Sequence, residues 1–194
     1  MVFGFLGRKK TNSRVVKDIY EAITMAARQP ELYRTMGVPD TVMGRFEIVS
    51  AHVIVFLRRA REGTPALAAL AQDVVDSFFE DMDHSLRELG IGDLGVPKRM
   101  KKLASMFYGR ADSYGQALDN GNVEALAAAL KRNLYPAQRR SSMPADADEG
   151  QHGEQLDRAL DDLARYLLAT DKALQEQSDC DILSGKILFA VLSS

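Results

Sequence analysis

One cysteine, Cys180, is all the thiol chemistry that this chain of 194 residues holds. A lone cysteine excludes an internal disulfide and a cysteine-based zinc site, and it points to a reducing compartment. Histidine is also scarce, at three residues, so few catalytic constellations can be assembled. No run of about 18 apolar residues is present, which excludes a simple membrane-spanning helix. The longest candidate, Phe46 to Leu57, is broken by Glu47, Ser50 and His52. An excess of charge of one sign is missing too: 25 basic residues stand against 27 acidic ones, for a net charge of −2. A general binder of DNA or other nucleic acid is not expected from that balance. Met1 to Lys10 (MVFGFLGRKK) places its apolar residues before its basic ones, the reverse of a secretory signal. A soluble protein of the cytosol or an equivalent compartment is the resulting expectation.

Long alternating runs of Val, Ile and Thr are absent, and apolar spacings of three and four dominate. The pattern predicts a single-domain, all-α irregular helical bundle of about six to seven helices. The first spans about 13–28, with Ser13 as a cap and Gln29-Pro30 as its end. A short turn of helix follows over 31–36. A second long helix begins at Asp40 or Thr41 with Asp40 as the expected N-cap, and stops at Gly63. Thr64 and Pro65 form a strong cap and first-position pair for a third, which Gly90 terminates. A fourth runs from Pro97 to about Leu118, and a fifth from the Asn122 cap to Pro136. Residues 137–153 are poor in apolar side chains and read as a mobile linker. A sixth helix over 154–177 and a turn or short helix over 181–192 close the chain. The domain layout expected is therefore a flexible or membrane-touching N-terminus over 1–12, a helical core over 13–136, the linker, and C-terminal helices over 154–194 packing on that core.

Few residues suit catalysis. Asp81 and His84 have i, i+3 spacing, with Glu80 and Asp83 beside them, which sets up one alternative: a helical carboxylate-bridged metal enzyme. A solvated acidic helix face explains the same residues. His52 lies in the most apolar helix and reads as a core histidine with a hydrogen-bonding partner. Cys180 has no nameable base and reads as inert. Gly90-x-Gly92-x-x-Gly95 matches part of a dinucleotide fingerprint, but it follows a helix rather than a strand, so the glycines read as turn formers.

The stretch from Asp83 to Tyr114 is more informative. An acidic helix ends at Gly90, a glycine-rich turn follows, and a basic helix carries Lys98, Arg99, Lys101, Lys102 and Arg110 beside Phe107, Tyr108 and Tyr114. Pattern alone describes an amphipathic helix with a solvated basic side. An RNA-binding helical module is a further alternative, with steep salt dependence as its signature. Arg58, Arg59 and Arg61, at the end of the second long helix, suit the negative end of a helix dipole.

This segment resembles the ubiquinol–cytochrome c chaperone family. The resemblance is carried by Asp83, Leu86-Arg87-Glu88, Gly90, Gly92-Asp93, Val96, Lys98, Met100-Lys101-Lys102, Phe107-Tyr108-Gly109-Arg110 and Tyr114. Upstream, Tyr33, Gly37-Val38-Pro39-Asp40, Arg45-Phe46-Glu47, Leu57, Asp76 and Phe78-Phe79 add to it. It spans about 19–135, and the chain after Pro136 carries little of it. The resemblance implies an all-α fold without catalysis or cofactor. It also implies a chaperone that binds newly made cytochrome b and assists assembly of ubiquinol–cytochrome c reductase, respiratory complex III. In mitochondrial members a small assembly partner and the ribosome are further contacts. The short lead-in before the first helix is similar to a bacterial member acting at the cytoplasmic side of the inner membrane. Asp93, Lys98, Arg99, Lys101, Lys102, Phe107, Tyr108 and Arg110 are the expected partner-binding residues. Met1 to Lys10, with Val2, Phe3, Phe5 and Leu6 ahead of three cations, is a candidate for touching a membrane surface.

Overall fold

A computed structural model describes residues 13–136 and 147–192 of the chain. The N-terminal segment read as membrane-touching, and residues 137–146 of the expected linker, lie outside the described residues. Among the described residues every regular element is a helix: α1 (Ser13–Ala27), α2 (Pro30–Arg34), α3 (Val42–Arg61), α4 (Pro65–Glu88), α5 (Val96–Asp119), α6 (Val123–Leu134), α7 (Ala147–Gln175) and α8 (Asp179–Leu183). The all-α single-domain bundle expected from the apolar spacing is the observed fold.

Local chemistry explains most of the boundaries. The Thr64 hydroxyl accepts from Leu67 N with Pro65 in the first helical position, and the Asn122 side chain accepts from Ala125 N at 2.8 Å. The α3 cap differs from expectation. Thr41, not Asp40, accepts from Gly44 N at 3.0 Å, while Asp40 turns away to pair with Arg45 at 2.8 Å. Gly44 permits that turn, because a Cβ there would lie 2.0 Å from the Pro39 carbonyl oxygen. Gly90 takes φ +77 and ends α4 as its position predicts. At the C-terminus, where a turn or short helix is expected over 181–192, the structure has the five-residue α8, which starts two residues earlier. Beyond it the chain is held without helix by Gln177, which donates to Leu188 O and accepts from Leu188 N. The last long helix begins at Ala147, inside the segment whose polar composition reads as linker.

The centre of the bundle is α3. Its residues from Phe46 through Phe56 are buried without a break, and α1, α4, α5, α6 and α7 all pack against it. A helix buried on every side has no room for an amphipathic stripe. Its polar residues must therefore find partners inside. His52 does so: its Nδ1 lies 2.8 Å from Ile48 O and its Nε2 lies 2.9 Å from the Tyr166 hydroxyl. The carbonyl can only accept, so Nδ1 carries the proton and Nε2 accepts from Tyr166. Burial holds this imidazole neutral, with its pKa pushed down to about 4. It is the partnered core histidine that its apolar setting predicts.

Candidate functional site: the α4–α5 hairpin

The hairpin is built by charge at its tip and by aromatic packing along its length. Arg87 in the last turn of α4 donates to Asp83 at 2.7 Å and also to Asp93 in the turn. The turn is thereby tied back to the helix before it, and the bonded guanidinium draws the Asp83 carboxyl below the usual carboxylate range. Ile91 N reaches back to Leu86 O at 3.2 Å and Gly95 N to Gly92 O at 2.7 Å. Between them Leu94 stands 100 % exposed. The first turns of α5 then carry Lys98, Arg99, Lys101 and Lys102, all exposed.

The expected partner-binding set divides across the two sides of α5. Lys98, Lys101, Lys102 and Tyr108 lie on the outer side, with Tyr108 55 % exposed, and Arg99 is exposed on the side that also carries Leu103. Asp93 is also exposed but is engaged by Arg87. Phe107 and Arg110 are corrected from surface to interior. Phe107 is fully buried, with its ring centroid 5.3 Å from that of Phe78 and 5.6 Å from that of Phe79. Arg110 grips both carboxylate oxygens of buried Glu47, donates to Met106 O at 2.8 Å, and lies 5.9 Å from the centre of the Phe46 ring. Burial pushes the Glu47 carboxyl up, against the opposing pull of the guanidinium. These two residues hold α5 on α3 and α4, so their role is to fix the surface and not to form it.

A groove beside the hairpin was not foreseen. It encloses about 340 Å³ between Arg28 just after α1, Tyr33 of α2, the start of α3, the last turns of α4 and Leu103 of α5. Its floor is apolar: Val42, Met43, Phe46, Met82, Leu86 and Leu103 contribute, and Arg28, Arg45, Asp81 and Glu88 stand among its polar lining. Val42, Met43 and Leu89 remain about half exposed, and Met25 on α1 more so. Thioether side chains adapt their shape to varied apolar ligands. In sequence these residues look like ordinary core stripes, so periodicity offers no signal for the groove. The half-exposed Val42-Met43 pair at the first turn of α3 is the nearest thing to one.

The metal-enzyme alternative finds no site. Asp81 accepts from the Tyr20 hydroxyl at 2.8 Å, and among the described residues no three His, Cys, Asp or Glu side chains converge. Nor is any helix among them long and apolar enough to cross a membrane.

The crystal structure of the Cbp3 homolog from Brucella abortus is 45 % identical and superposes with a TM-score of 0.76, covering 93 % of this chain and 91 % of that one. Ubiquinol-cytochrome-c reductase complex assembly factor 1 from Xenopus laevis is 26 % identical over 139 residues, which is 70 % of this chain and 69 % of that protein. The ubiquinol-cytochrome C chaperone family profile matches residues 34–189, well past Pro136, where the sequence pattern carried little resemblance. The chain therefore belongs to the ubiquinol–cytochrome c chaperone family, a family of complex III assembly factors.

Proposed function

We propose that the chain is a non-catalytic chaperone that binds newly made cytochrome b at the α4–α5 hairpin and assists its entry into complex III. The observation that carries this reading is the apolar, methionine-bearing groove beside a face of exposed cations on one hairpin. A nascent membrane protein offers apolar segments that need cover from water and polar loops that need orientation. The groove would cover a short apolar stretch, with Val42, Met43 and Leu89 as its accessible contacts. Tyr108, half-exposed beside the aromatic cluster, supplies an amphipathic anchor of the kind that concentrates binding energy. Arg99, on the groove side of α5, completes the partner-binding surface, with Asp93 fixing its loop and Lys98, Lys101 and Lys102 flanking it. Action at the cytoplasmic side of a bacterial inner membrane, with a small assembly partner or the ribosome as further contacts, belongs to the same proposal.

The test is site-specific photocrosslinking in cells from Tyr108 and, separately, from Met43, followed by identification of the captured protein. Cytochrome b is the expected adduct at both positions, and Met43→Glu is expected to abolish its co-purification while helicity is retained. Capture of other proteins without cytochrome b at either position refutes the reading.

A further inference from the structure

The outer face of the hairpin has a composition the groove does not explain. Between Arg87 and Lys102 five cations stand against two carboxylates, in a chain whose net charge is −2. One of those carboxylates, Asp93, is already held by Arg87. Lys98, Arg99, Lys101 and Lys102 form no ion pair among the described residues, although most arginines elsewhere in the fold do. They also occupy the end of α5 where the helix dipole disfavours positive charge, and the first turn contains no acidic residue. Local stability therefore does not account for four cations there. Directly before them Leu94 is 100 % exposed on a turn braced by Gly95 N to Gly92 O and by Arg87. Isolated exposed leucines are ordinary. A fully exposed one at the apex of a braced turn, four residues from the first of four unpaired cations, combines an apolar probe with a cationic collar. An anionic bilayer offers that combination its complement: acyl chains beneath phosphate headgroups. A soluble acidic protein would match the cations but leave Leu94 in water. An RNA strand would call for stacking aromatics among the cations, and the one exposed aromatic on this helix, Tyr108, lies six residues beyond Lys102.

We infer that Leu94, Lys98, Lys101 and Lys102 form a docking face for a membrane rich in anionic lipid. This rests on the reading of the hairpin as the client-binding element. On α5, Leu103 lines the groove while Lys98 and Lys101 lie about 140° and about 160° away round the helix axis; Arg99, about 40° from Leu103, borders the groove instead. The chaperone would then sit on the bilayer that receives its client, with the groove to one side of the contact.

Vesicle co-sedimentation of the full chain tests this without any client. Vesicles of phosphatidylcholine alone are compared with vesicles containing phosphatidylglycerol, at low and at high salt. Binding to the anionic vesicles only, weakened by salt, is expected. The triple variant Lys98→Glu, Lys101→Glu, Lys102→Glu should lower partitioning by on the order of a hundredfold, from about 1 kcal/mol per cation and 1.4 kcal/mol per factor of ten. Leu94→Asp should weaken binding with every cation still in place, and circular dichroism confirms that both variants fold. Absence of binding to anionic vesicles overturns the inference. So does undiminished binding by the triple variant, or tighter binding to single-stranded RNA than to the vesicles at equal salt. Because cytochrome b is not in this assay, its outcome is separate from the crosslinking result.

Discussion

Two basic clusters in this protein use the same residue types for opposite ends. At the end of α3, Arg58 donates to Asp171 at 2.9 Å, to Asp119 at 2.7 Å and to Gly115 O at 3.2 Å, while Arg59 engages Gln177 O at 2.8 Å and Asp179. These side chains are largely buried and join α3 to α5, α7 and α8. The helix dipole favours them, but it accounts for only part of their placement, since four chain segments converge on two guanidinium groups. At the start of α5 the cations have no partner among the described residues and sit where the dipole opposes them. The difference teaches that a run of Lys and Arg carries functional information when its partners are missing, not when its charges are many. Paired cations are spent on the fold, and unpaired ones remain available for something outside it.

The contrast is sharpest within α5, where Arg110 is of the buried kind and Lys102 of the free kind. Removing Arg110 leaves the Glu47 carboxyl buried without its partner, so Arg110→Ala is expected to destabilise the fold by about 3–5 kcal/mol. Urea denaturation followed by circular dichroism measures it. Replacing both partners together, as Glu47→Met with Arg110→Met, should recover much of the loss, because two well-packed apolar groups need no ion pair. A single-variant cost below about 1 kcal/mol, the range of surface pairs, would break the distinction between the clusters.

A buried base without an acid partner extends the comparison. His52 is fully enclosed and neutral, with its pKa near 4 against an ordinary value near 6.5. Below pH 6.5 the unfolded chain takes up a proton that the folded chain refuses, so the stability this group contributes is complete above pH 6.5 and declines toward pH 4. The shift corresponds to on the order of 3 kcal/mol across that window. Urea midpoints measured from pH 7.5 to 4.5 should fall accordingly. In a His52→Phe variant the decline should flatten, whatever that variant loses in absolute stability. An equal decline in both proteins would assign the pH dependence to other groups.

Much of this architecture was legible because it is local. Thr64-Pro65, Asn122 and Gly90 act within a turn of themselves, and the structure places them as caps and terminator. Asp40 and Thr41 are both good caps by type. What separates them is the close approach of Gly44 to the Pro39 carbonyl, which composition does not reveal. Phe107 and Tyr108 are adjacent aromatics of similar size, yet only Phe107 meets Phe78 and Phe79 across the hairpin. The partner of Arg110 is 63 residues away, so nothing near it in sequence distinguishes it from a surface arginine. The groove was illegible for a related reason. It forms where α2, α3, α4 and α5 meet, and a side chain lining a groove obeys the same spacing as one in a core. The leucine stripe of α7 is equally generic, and the extent of the family beyond Pro136 was not visible in it.

The smallest expected effect discriminates best between the clusters. Neutralising the free face as Lys98→Gln, Lys101→Gln, Lys102→Gln should change stability by no more than about 0.5 kcal/mol, the range of surface substitutions. Reversing the same three to Glu should raise stability slightly, by about 0.3–1 kcal/mol per charge within the first turn and less beyond it, because the dipole at that end favours anions. The same reversal is expected to remove attachment to anionic vesicles. Cations that served the fold would show both quantities falling together, as the arginines at the end of α3 should. A protein that becomes more stable as it loses its surface contact identifies charges retained at a cost to α5. Thermal denaturation of the two triple variants beside the parent chain, at low salt where the dipole is least screened, measures that cost directly.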